Sequence, residues 1–163
     1  MQSRSPTTVG CIYYTKTDGS YRLCIDYRIL NSLSHLDAYP LPRIDDTLDA
    51  LRGTKYFSSV DLKQGYYQIG MNPDDKHKTA FVTHCGLYQF KVMPFGLCGA
   101  PATFERTMEQ ILKGLLWERC LAYLDDVTIF GKDFQTALEN LCVVFDRFRQ
   151  ANFKLNPKKC RFF

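Results

Sequence analysis

Residues 120–130 read CLAYLDDVTIF, two apolar, strand-like runs with a pair of acids between them. Runs of this composition suit buried strands, so the segment predicts an antiparallel hairpin set into a core. An ordinary hairpin would carry Asn-Gly or Asp-Gly at its tip. Two carboxylates there repel each other and are poorly hydrated, and a divalent cation held by oxygen ligands would neutralise them. The dipeptide alone says little. It recurs at 45–46, where it opens a helix and suits the positive end of the helix dipole, and at 74–75, after Pro73 in a polar stretch. The apolar flanks set Asp125 and Asp126 apart.

Asp61 raises the same question. It stands at the end of a compact strand pattern, YFSSVDL, at residues 56–62. A third carboxylate beside the pair would complete a site for two hard cations, which in phosphoryl transfer lie about 3.5–4 Å apart and clamp the attacking and leaving oxygens. The distance along the chain permits that meeting without requiring it, and a strand-end cap accounts for Asp61 taken alone.

The rest of the pattern alternates hairpins with helices. Residues 7–15 read as a strand, 16–20 as a turn around Asp18-Gly19, and 21–27 as the returning strand. Pro40 and Pro42 interrupt the chain before a short amphipathic helix at 43–51. Residues 72–78 read as a loop, 79–83 and 87–92 as strands, and the stretch from Pro94 to Pro101 as a structured loop. Phe104, Met108, Ile111, Leu112 and Leu115 then mark one face of a helix, and Phe134, Leu138, Leu141, Cys142, Phe145 and Phe148 mark a longer one. A short strand is expected at 154–156. Hairpins among helices, rather than repeated βαβ units, place the chain in the α+β class.

Composition narrows the function classes. With 163 residues, 45% hydrophobic and 23% charged, the chain is one globular domain or part of one, which excludes collagen, coiled coil and disordered tail. Seven Cys without a CxxC, several of them in apolar runs (24, 120, 142), read as reduced core thiols rather than a disulfide frame or zinc site. No apolar run is long enough for a membrane span, and residues 1–10 carry no hydrophobic signal core. The net charge of +4 is mild, but no acid follows Arg147 while Arg149, Lys154, Lys158, Lys159 and Arg161 do. Such a run suits a solvated helix face or a polyanion contact.

Tyr123-Leu124-Asp125-Asp126 in its apolar hairpin resembles the YxDD motif of reverse transcriptases. Further blocks carry the same resemblance: Asp18-Gly19, Arg22, Asp26-Tyr27-Arg28 and Leu30-Asn31; Tyr39-Pro40-Leu41-Pro42; Phe57-Ser58-Ser59-Val60-Asp61-Leu62; Gly65-Tyr66-Tyr67-Gln68-Ile69; Lys78-Thr79-Ala80-Phe81; Met93-Pro94-Phe95-Gly96-Leu97; Ala100-Pro101-Ala102-Thr103-Phe104; and Asn156-Pro157-Lys158-Lys159-Cys160. Together they are similar to the Ty3/gypsy branch of LTR retrotransposons, within a Gag-Pol polyprotein.

The resemblance implies an RNA-directed DNA polymerase with two Mg²⁺ or Mn²⁺, held by Asp61, Asp125, Asp126 and the carbonyl of Leu62. It implies phosphate contacts from Lys16 and Arg22 and from the backbone of Gln64 and Gly65. Tyr66 would be the gate against a ribose 2′-OH, Phe95 would lie against the nucleotide, and Tyr123 and Leu124 near the primer end. Lys158 or Lys159 would protonate pyrophosphate; the register between them stays open, with Lys159 taken into the nucleotide set. The implied partners are a primed RNA or DNA template, dNTP and the remaining polyprotein domains (thumb, connection, RNase H, integrase), in an intracellular virus-like particle without a membrane. The implied layout gives fingers from about 1–60 and 71–104 and palm from 61–70 and 105–163, with the thumb, connection and RNase H outside the chain. Thr17 and Cys98-Gly99 depart from the family pattern, the latter where Thr-Asn is usual. A catalytically inactive remnant with weak nucleic-acid binding is the reading from the other class.

Overall fold

The computed structural model describes residues 9–15, 19, 21–35, 37, 39–40, 43–124 and 126–163, without the side chains of residues 9–13, 22 and 44. The chain forms two compact units, Met1–Asp37 with Tyr66–Ala100, and Ala38–Gly65 with Pro101–Phe163.

The first unit is built on strands β1 (Val9–Thr15), β2 (Tyr21–Ile25), β4 (Phe81–Thr83) and β5 (Gly86–Tyr88), in the order β2-β1-β4-β5. The β1–β2 and β4–β5 pairs are antiparallel, and β1–β4 is parallel. Helix α1 (Arg28–Leu33) follows β2 and was not expected from the sequence, where residues 21–27 read as strand throughout. Its Asn31 is a tie. The Asn31 side chain donates to the Gly96 carbonyl at 2.8 Å and accepts from the Cys98 N–H at 2.9 Å, so one amide fastens the loop ahead of residue 100. Tyr27 is buried, and its hydroxyl donates to the Thr79 carbonyl at 3.2 Å. The expected loop at 72–78 is instead a 3-10 helix, Pro73–Thr79. The Asn72 side chain accepts from the Asp74 N–H at 3.2 Å and Pro73 supplies a preset φ, which is local turn chemistry closed into a helix.

The second unit holds an antiparallel sheet in the order β6-β7-β3-β8, with β3 at Tyr56–Asp61, β6 at Cys120–Tyr123, β7 at Asp126–Gly131 and β8 at Arg161–Phe162. Helices α2 (Ile44–Ala50), α3 (Ala100–Ile111) and α4 (Phe134–Gln150) complete it, α4 packing on β7 and β3. Alternation along β3 buries Ser58, Val60 and Leu62 and turns Ser59 and Asp61 to the other face. Val127 and Ile129 of β7 join the core with Phe104, Met108, Val144 and Phe148. Asp133 caps α4, accepting from the Thr136 N–H at 2.8 Å, and this holds its carboxyl below the usual range. Buried Asn140 donates to the Phe130 carbonyl at 2.9 Å, which ties α4 to the end of β7.

Mixed helix and antiparallel sheet agree with the α+β expectation. Three details differ. The late strand lies at Arg161–Phe162, while Leu155 makes only an isolated bridge to Leu62. Leu112 and Leu115 are buried but lie beyond the end of α3. Of the three cysteines expected in the core, Cys120 is buried, and burial pushes its thiol up to about 12; Cys24 and Cys142 are exposed. Apolar neighbours in sequence do not decide which face of an element a residue takes. Among the described residues, no helix is long and apolar enough to cross a membrane.

Candidate active site

The acids at 61 and 126 come together through strand register. β3 and β7 pair antiparallel with Asp61 directly opposite Asp126, one step beyond Val60 opposite Val127. Opposed residues project from the same face, and their Cα atoms lie roughly 4.5–5.5 Å apart. On the other side of β7, Asp126 pairs with Tyr123. The side chains of Asp61 and Asp126 are therefore turned away from the Val60–Val127 core by the same alternation that fills it. Asp125 lies outside the described residues. Among the described residues, no three His, Cys, Asp or Glu gather as a metal-binding group. Asp45 and Asp46 sit in the first turn of α2, and Asp74 and Asp75 in the 3-10 helix of the other unit, where Asp75 pairs with Lys78.

A cation already stands on this face. Lys159 places its Nζ 3.1 Å from Oδ2 of Asp61, 98 residues away in sequence. The Asp61 side chain is 17% exposed and that of Lys159 65%. The chain reaches this position in two steps. The Asn156 N–H donates to the Asp61 carbonyl at 2.9 Å, and a turn closes with the N–H groups of Lys159 and Cys160 donating to the Asn156 carbonyl at 3.0 and 3.2 Å. Between the two lysines left open by the sequence, Lys159 is the one with this contact; Lys158 is exposed.

The hairpin turn has its own support. Leu124 has φ 51°, in the left-handed region that a branched residue enters only under constraint. Glu105, a residue of α3, is only 3% exposed. Burial raises the Glu105 pKa most, the Leu124 N–H pulls it down, and the like charge of Glu109 one turn away raises it again. The Glu109 carboxylate accepts from the Tyr39 hydroxyl, and the Arg106 guanidinium lies 5.1 Å from the centre of the Tyr39 ring. Sequence reasoning missed Glu105. The signal was there: it falls within the stripe that Phe104, Met108 and Leu112 mark as buried, where a carboxylate is out of place.

Leu62 follows Asp61 with its side chain buried, and the Lys63 N–H donates to the Lys154 carbonyl at 3.0 Å. Gln64 has φ 52° and leads into the 3-10 turn Gly65–Gln68. In the first unit, the Tyr66 ring packs against Phe95 with centroids 4.9 Å apart, and Tyr67 meets Phe95 edge-on at 5.1 Å. Tyr123 is exposed. Lys16 lies outside the described residues; Arg22 pairs with Tyr14 in β2–β1 register, and its side chain is not described.

A family model described as "Reverse transcriptase (RNA-dependent DNA polymerase)" matches residues 14–163. The chain is 45% identical over 142 residues to the retrovirus-related Pol polyprotein from transposon 297 of Drosophila melanogaster, covering 87% of this chain and 13% of that protein. It is 40% identical over 128 residues to an RNA-directed DNA polymerase homolog of Oenothera berteroana, covering 77% of this chain and 90% of that one. Its fold superposes on a foamy viral protease-reverse transcriptase solved with an RNA/DNA hybrid, with TM-score 0.85, 23% identity, and coverage of 99% of this chain and 22% of that one. The chain thus spans a small part of the long polyprotein it matches and most of the shorter homolog, and it belongs to the reverse transcriptase (RNA-dependent DNA polymerase) family, of the Ty3/gypsy retrotransposon type that its motif blocks resemble.

Proposed function

We propose that this chain supplies the polymerase core of an RNA-directed DNA polymerase, joining dNTP to a primer 3′-hydroxyl on an RNA or DNA template. The observation that carries the proposal is Asp61 in register with Asp126, with Lys159 3.1 Å from the Asp61 carboxylate. Carboxylates on adjacent strands of one sheet face are hard oxygen donors, the donor class that Mg²⁺ and Mn²⁺ take. Asp61, Asp126 and Asp125, with the Leu62 carbonyl, are assigned as the ligands. Held by these residues, two such cations would supply activation of the 3′-hydroxyl and neutralisation of the triphosphate charge. Lys159 is assigned to give a proton to the leaving pyrophosphate, a role that suits an amine beside the acids. Lys16, Arg22, and the backbone N–H groups of Gln64 and Gly65 are assigned to the phosphates. Tyr66 is assigned to exclude the 2′-hydroxyl, Phe95 to the nucleotide, and Tyr123 with Leu124 to the primer end. The template, the dNTP and the remaining polyprotein domains are the partners in this reading. The fingers–palm division belongs to the same proposal. We assign the fingers to the first unit and the palm to the second, which moves residues 38–60 and 101–104 to the palm side of the border drawn from sequence and residues 66–70 to the fingers side.

The test is primer extension on an RNA template with Mg²⁺, together with Mn²⁺ binding to the same chain. D61N and D126N should each lower extension by at least ~100-fold, since even outer partners of metal ligands are worth about 10–100-fold. Both should also weaken Mn²⁺ binding. Wild-type extension or wild-type Mn²⁺ affinity in D61N would overturn the assignment. A wild-type chain that neither extends a primer nor binds Mn²⁺ would favour the inactive remnant.

A further inference from the structure

Phe95 lies between two consecutive tyrosines of the first unit, its ring 4.9 Å from Tyr66 at a tilt and 5.1 Å from Tyr67 edge-on, centroid to centroid. These are separations at which aromatic rings attract each other. Where the Phe95 ring points depends on the backbone that follows it. Gly96 takes φ 94°, and a Cβ there would meet the Tyr27 ring at 3.5 Å and the Ile25 carbonyl oxygen at 3.7 Å. Glycine enters this region freely and leaves it as freely, so the turn needs other contacts to hold it. Asn31 supplies two of them. Its amide donates to the Gly96 carbonyl at 2.8 Å and accepts from the Cys98 N–H at 2.9 Å, across 65 and 67 residues of sequence. One planar side chain thus grips the loop on both sides of residue 97. A carboxamide suits the task because it is neutral and carries a donor and an acceptor in one plane. Both ties reach backbone atoms, so they do not depend on the Cys98 side chain that stands where the family pattern has Thr.

We propose that Asn31 is a positioning residue for the choice between deoxyribonucleotides and ribonucleotides: by holding both ends of the turn at residues 96–98 it fixes the Phe95 ring against Tyr66, the ring assigned above to exclude the 2′-hydroxyl. The proposal rests on that assignment. A ring excludes a hydroxyl only if it cannot tilt away, and Phe95 is packed where it blocks that tilt. The two ties differ in effect. The Gly96 tie is next to Phe95 in the chain and bears on its ring, while the Cys98 tie anchors the trailing end of the turn. An aspartate at position 31 would keep an acceptor for the Cys98 N–H but would turn its second oxygen toward the Gly96 carbonyl. A leucine of similar size would keep neither tie.

The experiment compares the wild type, N31L, N31D and Y66V as whole chains. NMR reads the exchange of the Cys98 amide and the contact between the Phe95 and Tyr66 rings. Single-nucleotide primer extension with Mg²⁺ reads the ratio of kcat/KM for dNTP over rNTP. The wild-type Cys98 amide should exchange at least ~5-fold more slowly than a free peptide, as one net hydrogen bond gives. N31L should lose that protection and the ring contact, and its discrimination should fall by roughly 10-fold, toward that of Y66V. N31D should keep Cys98 protected yet lose the ring contact and the discrimination, a split that general loosening of the fold would not produce. A Cys98 amide unprotected in the wild type overturns the proposal without any variant, so it is decided even where N31L does not fold. Ring contact or discrimination kept in N31D overturns it as well. A Y66V chain that discriminates like the wild type sinks the gate assignment instead, and a wild type that extends no primer sinks the polymerase reading. In either case the ring contact in N31D decides Asn31 by itself.

Discussion

Tyr66 tests the site at the scale of one ring. Its ring already packs at a tilt against Phe95, with centroids 4.9 Å apart, so a purely structural role and a gating role predict different outcomes for its removal. Y66V takes away ring volume and leaves every carboxylate in place. Discrimination between dNTP and rNTP should fall by roughly 10- to 100-fold, the range in which a shape-based pocket distinguishes small groups. Unchanged discrimination with lowered stability would leave Tyr66 as a packing residue. Lys159 shows a different residue-scale point. Its ion pair with Asp61 is half open to water, so its worth to stability is small, and its interest lies in where it puts an amine.

At the scale of elements, the β7–α4 connection is packed without room to spare. Gly131 ends β7, and the Lys55 N–H donates to its carbonyl at 3.0 Å. A Cβ on Gly131 would lie 2.5 Å from the Ala137 nitrogen and 2.7 Å from its Cα, both backbone atoms of α4 that cannot swing aside. G131A should therefore lower stability by about 3 kcal/mol, at the upper end of overpacking costs, and the melting temperature by roughly 6–12 °C for a chain of this size. G70A is the control. Nothing lies within 4 Å of a Cβ there and its φ is not positive, so its change should stay within about 0.5 kcal/mol. A G131A protein that melts with the wild type would mean that α4 slides freely on the sheet, and the packing account of β7 would fall.

At the scale of the whole molecule, charge is the quantity to weigh. The chain has 21 Lys and Arg against 17 Asp and Glu, and its last stretch, from Arg147 onward, carries six of the cations and no acid. That surface allows a few phosphate contacts rather than a dense grip. Three such contacts give a fall in duplex affinity of about 40-fold between 50 and 200 mM salt. The measurement is primer–template binding at those two salt concentrations. Affinity that ignores salt would mean that the duplex is held by something other than phosphate contacts, and the basic stretch would lose its role.

The hairpin with its acids, the strand that ends at Asp61, and the two long amphipathic helices were all legible in the sequence, because they rest on short apolar runs and on a periodicity of 3.6 residues. The family was legible in the same way, from motif blocks spread along most of the chain. What the sequence left open were the meetings. Strand register, not composition, set Asp61 opposite Asp126. A turn at Asn156 chose Lys159 over Lys158 for the Asp61 carboxylate. The exposure of Cys24 and Cys142 and the burial of Glu105 depended on which face each element turned to its neighbours. Local pattern determines what an element is and which stripe it buries. Only the packing of one element on another decides which polar groups, 98 residues apart in the case of Lys159 and Asp61, come within a hydrogen bond of each other.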